Sequence, residues 1–244
     1  MPGFCIYAGE LKSQASLVNL LQDYEDIKYI TFNDENIELL SKISNMIVRP
    51  DGVIQFMYSW DEPLHYDYRG TIKHTARTSS LNVRIITGRS HLYFLVEKDT
   101  KYNKSKKVLV DISKVIYTSE ERIMNAYIVS SLIKELELKD SEKVENKWFK
   151  RVSSLDKAVG IYGELDTKNA DGTRGQSEVN RTFRKRDQTA SRYVSHSNGA
   201  RVYISASKSS VTLRPIGDSR VGLDDVEQYI RNMILPGIVV DSSR

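Results

Sequence analysis

The chain has 244 residues, 40 % of them hydrophobic, with 13 glycines, 5 prolines and a net charge of +4, a composition that suits a packed globule of one large domain or two small ones. No apolar run approaches the roughly 18 to 20 residues of a membrane-spanning helix. The start, Met1-Pro2-Gly3-Phe4-Cys5, carries no secretory pattern, and Cys5 is the only cysteine, so an internal disulfide and a cysteine-based zinc cluster are excluded. These features lead us to expect a cytoplasmic protein.

The charge is unevenly placed. Residues 173–192 hold six cations (Arg174, Arg181, Arg184, Lys185, Arg186 and Arg192) against two anions (Glu178 and Asp187), a surplus equal to that of the whole chain. A concentration of this kind points to a localised anionic partner.

In chain order, residues 4–8 read as a short buried strand. Ser13 then caps a helix with Leu17, Leu20, Leu21 and Tyr24 on one face. Residues 27–32 form a second strand candidate. Asn33-Asp34-Glu35 resembles a helix start, with Ile37, Leu40 and Ile47 following at helical spacing, so residues 1–48 predict a small β-α-β-α unit. Pro50-Asp51-Gly52 is a turn, and Ile54, Phe56, Tyr58 and Trp60 then alternate with more polar neighbours as in a strand.

Trp60 to Tyr66 reads as an aromatic, turn-like segment, and Trp60 and Tyr66 are candidate partner contacts. Strands are predicted at 82–87 and 91–96 as a hairpin, a Lys-rich turn at 99–107, and another strand at 108–112. Ser119 is read as the cap of a long helix to about Leu138, apolar on most sides and therefore buried. Together these make residues 49–165 an antiparallel sheet with a helix laid on it. The charged stretch 139–150 ends in Trp148-Phe149, and Trp148 is a third candidate partner contact.

Residues 166–180 contain almost nothing apolar and read as a mobile loop or linker. A basic sheet-plus-helix block, 181–244, follows. Its expected strands are 181–185 and 192–195, then a hairpin from 200–204 to 211–214. A final helix has Asp224 as cap and Glu227 three residues later, and ends at Pro236-Gly237. The overall expectation is an α+β protein: the N-terminal unit, then two antiparallel-sheet-plus-helix blocks. The two blocks share an order of elements, and Lys73-His74-Thr75-Ala76-Arg77 resembles Asp187-Gln188-Thr189-Ala190-Ser191-Arg192, which suggests an internal duplication.

The chemistry centres on the basic tract. Arginines pair with phosphates in bidentate fashion, and aromatic rings stack on unpaired bases. Arg181, Phe183, Arg184, Lys185, Arg186, Arg192 and Tyr193 supply both within a short span. In the following hairpin, alternation places Val202, Ile204, Val211 and Leu213 inward, leaving Arg201, Tyr203 and Arg214 outward. If helices cover one side, the other is an open basic face suited to a nucleic-acid backbone, DNA or RNA, single-stranded or a guide-target duplex.

No phosphate-binding glycine loop, HExxH or other catalytic signature is present, and no cofactor is expected. The four histidines have no partner at i+3 or i+4, so none is expected to be a metal ligand. Glu10, Asp34 and Glu35, each just after a strand candidate, are the best residues for a metal-dependent nuclease, although their spacing fits no signature. A third alternative is a scaffold whose basic tract docks on an acidic protein partner. The function expected is non-enzymatic nucleic-acid binding by an accessory subunit of a larger hetero-complex, such as an effector or processing assembly of a prokaryotic defence type.

Overall fold

The computed structural model describes residues 1–32, 35–99, 104–117, 123–149, 164–166 and 188–241. The chain is an α+β protein whose strands pair antiparallel, and its contacts divide it into two compact units, one of Tyr7–Met124 and one of Met1–Ile6 with Asn125–Arg244. Strand β1 (Gly3–Glu10) contributes to both. Among the described residues no helix is long and apolar enough to cross a membrane.

In the first unit, α1 (Gln14–Leu21) follows β1, and the Ser13 hydroxyl accepts the Ser16 N–H as the sequence predicts. Strands β2 (Glu25–Phe32), β3 (Glu35–Val48), β4 (Ile54–Tyr68), β5 (Thr71–Thr87) and β6 (His91–Glu97) then form successive hairpins, ordered β2-β3-β4-β5-β6-β1, and α2 (Lys104–Tyr117) closes the unit. The two helices cover one sheet face. Leu17 and Leu21 of α1, with Val108, Ile112 and Ile116 of α2, pack with Ile54, Phe56, Tyr58, Trp60, Val83, Ile85, Phe94 and Val96 in one apolar cluster.

Three sequence expectations are corrected in this unit. Residues 35–48 are strand, not helix. The spacing of Leu39-Leu40, Ile43 and Met46-Ile47 imitates a helical stripe because a bulge at Asn45 (φ 54°) inserts an extra residue and shifts the phase of the alternation. The β-branched residues and pairing on both sides favour the sheet, so the N-terminal rhythm is β-α-β-β. Residues 108–112 lie in α2, not a strand. The Lys-rich segment before them supplies its exposed face, while Val108, Leu109, Ile112 and Ile116 keep helical spacing on the buried one. Finally, Trp60 to Tyr66 is extended strand rather than a turn.

That extension produces a long ribbon. β4 and β5 stay in register from Ile54↔Ile85 to Tyr68↔Thr71. The loop is Arg69-Gly70, with φ 54° and 79°, the two positive values of a type I′ turn, whose twist matches that of the strands. The Asp67 side chain accepts the Gly70 N–H at 2.8 Å. Gly70→Ala is therefore expected to cost about 1 kcal/mol, read as a lower urea midpoint. The β3–β4 ladder ends at Ser41↔Trp60. There the Asp61 carboxylate accepts the Leu40 N–H at 3.0 Å and the Thr78 hydroxyl at 2.6 Å, taking the place of further ladder bonds.

In the second unit, β7 (Ile123–Tyr127) precedes α3 (Ser130–Asp140), so the expected long helix 119–138 is a strand followed by a shorter helix. The run from Ile123 to Leu136 looks apolar on all sides because two different elements each contribute a buried set. Ser119 lies outside the described residues. Next come β8 (Ser141–Phe149), β9 (Glu164–Asp166), β10 (Gln188–Ser195), β11 (Arg201–Ser205) and β12 (Ser210–Arg214), ordered β9-β8-β10-β11-β12-β1. The expected 200–214 hairpin is present, with Val202↔Leu213 and Ile204↔Val211 in register.

Helix α4 (Leu223–Tyr229) follows. Its cap is Gly222, not Asp224: the Asp225 carboxylate accepts the Gly222 N–H at 2.7 Å. A π turn, Ile230–Ile234, continues it to a final 3-10 turn ending at Gly237. Strand β13 (Val239–Val240) pairs with β7.

Among the described residues both units run strand, short helix, five strands, helix, with β13 added at the end of the second. Of the two resembling segments, 73–77 lies in β5 and 188–192 in β10.

Candidate nucleic-acid interface

In the second unit, helices α3 and α4 cover one sheet face and fasten to it by buried polar groups. The Glu137 carboxylate accepts Gln188 Nε2 and the Ser191 hydroxyl through one oxygen, and Lys147 Nζ at 2.6 Å through the other. The Asp140 carboxylate accepts the Ser195 hydroxyl at 2.7 Å, the Tyr229 hydroxyl at 3.0 Å and the Ser197 N–H at 2.9 Å. Tyr193 and Tyr229 join hydroxyl to hydroxyl at 2.5 Å. Tyr193 therefore points into the core, fully buried, and is not a base-stacking residue. Burial, with the charges of Asp140 and Glu137 close by, raises its pKa above that of an ordinary tyrosine. Burial likewise raises that of Tyr229, with Tyr193 and Asp140 adding to it.

The opposite face carries the residues that alternation predicts to point away from α3 and α4. One cross-strand row runs Asn146, Arg192, Tyr203, Thr212, Gly3. The Arg192 guanidinium lies over the Trp148 ring at 5.6 Å, and Trp148 meets Tyr203 edge to face at 5.5 Å. Arg201 and Arg214 are partners in register. Arg214 is exposed, whereas Arg201 forms an ion pair with the buried Glu145 at 2.7 Å. Desolvating that carboxylate would cost more than a phosphate contact returns, so Arg201 serves the fold first.

This face is not uniformly open. The adjacent row, Ala190, Ser205, Ser210 and Cys5, is buried, as are Asn146, Thr212 and Gly3 of the first row, and Arg192, Tyr203 and Trp148 are partly exposed. Arg181, Phe183, Arg184, Lys185 and Arg186 lie outside the described residues, as does the 166–180 segment except for its first residue.

No protein-family model matches the chain, and no curated protein or solved structure is significantly similar to it.

The remaining sequence candidates are dispersed. Trp60 is 1 % exposed, its indole N–H donates to Glu62 at 3.0 Å, and Lys104 and Lys107 sit over its ring. It is a core residue, not a partner contact. Tyr66 is 44 % exposed on the β4–β5 ribbon. The ribbon is a surface that sequence reasoning missed. Arg69 and Lys73 flank the Tyr68 ring at 5.4 and 5.2 Å, and Lys73 is paired opposite Tyr66. The signal for it was the Arg69-Gly70 dipeptide flanked by residues able to pair.

Glu10 ends β1. Asp34 and the side chain of Glu35 lie outside the described residues, and among the described residues no three histidine, cysteine or carboxylate side chains are grouped to hold a metal ion.

Proposed function

We propose that the protein binds a nucleic-acid backbone without cleaving it, as an accessory subunit of a larger nucleic-acid complex, through the sheet face of its second unit opposite α3 and α4 and the basic tract that leads into β10. The observation that carries this reading is the Arg192–Trp148–Tyr203 arrangement. A guanidinium held over an aromatic ring keeps its N–H donors free for a phosphate, which takes them in bidentate fashion. Trp148 and Tyr203 supply rings for stacking beside it, a combination that favours single-stranded polymer over duplex. Arg214 extends the cationic path, and Arg181, Arg184, Lys185 and Arg186 precede it in sequence.

Each phosphate contact releases counterions, so its loss lowers the slope of log K against log salt by about 0.7 for single strands. Replacing Arg184, Lys185 and Arg186 together with alanine is expected to weaken binding of an unstructured oligonucleotide and reduce the slope by about 2, measured by fluorescence anisotropy at several salt concentrations. Unchanged affinity and slope would overturn the proposal. A protein partner that the oligonucleotide cannot displace from the tract would favour the scaffold reading instead.

A further inference from the structure

We propose that His65 and His74 form a two-histidine site for a borderline divalent transition metal such as Zn²⁺, Ni²⁺ or Cu²⁺. The two residues are nine apart in sequence but directly opposite in the β4–β5 ladder, because the Arg69-Gly70 turn folds the ribbon midway between them. Their Nδ1 atoms approach to 2.5 Å. Two lone pairs at that distance repel, and two N–H groups would clash, so the contact requires a single bridging centre between the nitrogens. A shared proton is the smallest such centre. A metal ion is the other, because neutral imidazole nitrogen is a preferred donor for these ions.

The surroundings favour ligation through Nδ1. Phe32 of β2 packs on both rings, edge to face against His65 at 4.5 Å and stacked on His74 at 5.1 Å, while the two imidazoles stand at 78° to each other. Both rings are held by packing, which limits the rotamer freedom that ion binding would otherwise freeze. His74 Nε2 is buried with no hydrogen-bond partner. Only a donor at Nε2 would hold the proton on Nδ1, and none is present, so His74 can carry its proton on Nε2 and leave the Nδ1 lone pair to an ion, at the cost of an unpartnered N–H.

Metal–nitrogen bonds of about 2.0–2.1 Å require the two nitrogens to part by less than an ångström, within reach of small ring rotations. His65 is exposed, which gives the ion an entry path and leaves room for water to complete its coordination. This assignment is independent of the nucleic-acid reading.

The test uses the full chain without an affinity tag, titrated with Ni²⁺, Zn²⁺ and Cu²⁺ by isothermal calorimetry, with Cu²⁺ electron paramagnetic resonance as the structural readout. One ion per chain is expected, with a two-nitrogen hyperfine pattern for Cu²⁺. His65→Gln or His74→Gln should each weaken binding about tenfold or more, since even outer-shell partners of a metal are worth that much. His91→Gln and His196→Gln should leave it unchanged. His65 is exposed and His74 half-buried, and far-UV circular dichroism confirms that each variant is folded. Absence of binding to the unaltered chain overturns the proposal. So does binding that survives both the His65 and the His74 substitutions, or that is lost with His91 or His196.

Discussion

Asp140→Ala is expected to lower the stability of the protein by about 2–4 kcal/mol, seen as a reduced urea midpoint with little change in slope. Asp140 ends α3 and is 2 % exposed, yet its carboxylate takes three donors: Ser195 of β10, Tyr229 of α4 and the backbone N–H of Ser197. A buried carboxylate is tolerated when its lone pairs are filled in this way. Removing it leaves those donors without their acceptor. Tyr229 retains its bond to Tyr193, and Ser195 its contact with Ser197, which keeps the cost below that of three fully orphaned groups. Asp140→Asn should fall between, because the amide nitrogen presents hydrogens to donors. A loss below about 1 kcal/mol for the alanine variant would mean that the network adds little to holding α3 and α4 on the sheet.

Alkaline pH should unfold the protein steeply. Burial is the first cause of the raised pKa of Tyr58, Tyr193 and Tyr229. Beside Tyr58 the charge of Asp111 acts in the same direction, and the Tyr58 hydroxyl donates to Asp111 at 3.0 Å. Because the folded-state values lie above the unfolded value of about 10, the contribution of these groups is intact below that pH. It is lost as pH rises above it, where the unfolded chain has released protons that the folded chain still holds. The slope is about 1.4 kcal/mol per pH unit for each tyrosine, or about 4 for the three. Tyrosinate absorbance should therefore rise together with loss of secondary structure. Ionisation of all fourteen tyrosines in a chain that stays folded would show that these hydroxyls are accessible.

Local signals in the sequence identify the elements whose determinants lie close together in the chain. Ser13 and its helix, the Asp51-Gly52 turn with Gly52 at φ 82° and the β11–β12 hairpin all follow from residues within a few positions of one another. The misread segments are those decided at longer range. Residues 35–48 carry a helix-like stripe only because of the bulge at Asn45, and β2 and β4 on either side determine their state. Residues 119–138 merge two elements because the partners that bury them, including β13 more than a hundred positions on, are invisible locally.

The same holds for the site. Alternation orients Tyr203 and Arg214 correctly, but no local rule places Trp148 beside Arg192, because β8 and β10 are some forty residues apart and their pairing contains several register shifts. The ion pair of Glu145 with Arg201 and the inward turn of Tyr193 are hidden for the same reason. His65 and His74 needed only the register of one turn to be paired.

The most direct test of the nucleic-acid account compares two variants on one unstructured oligonucleotide across a salt series. Arg192→Ala should weaken binding and lower the salt slope by about 0.7. Trp148→Ala should weaken it by about 1–3 kcal/mol, the worth of one stacked base, with the slope nearly unchanged. If both variants bind as the unaltered chain does, the face opposite α3 and α4 is not the nucleic-acid surface.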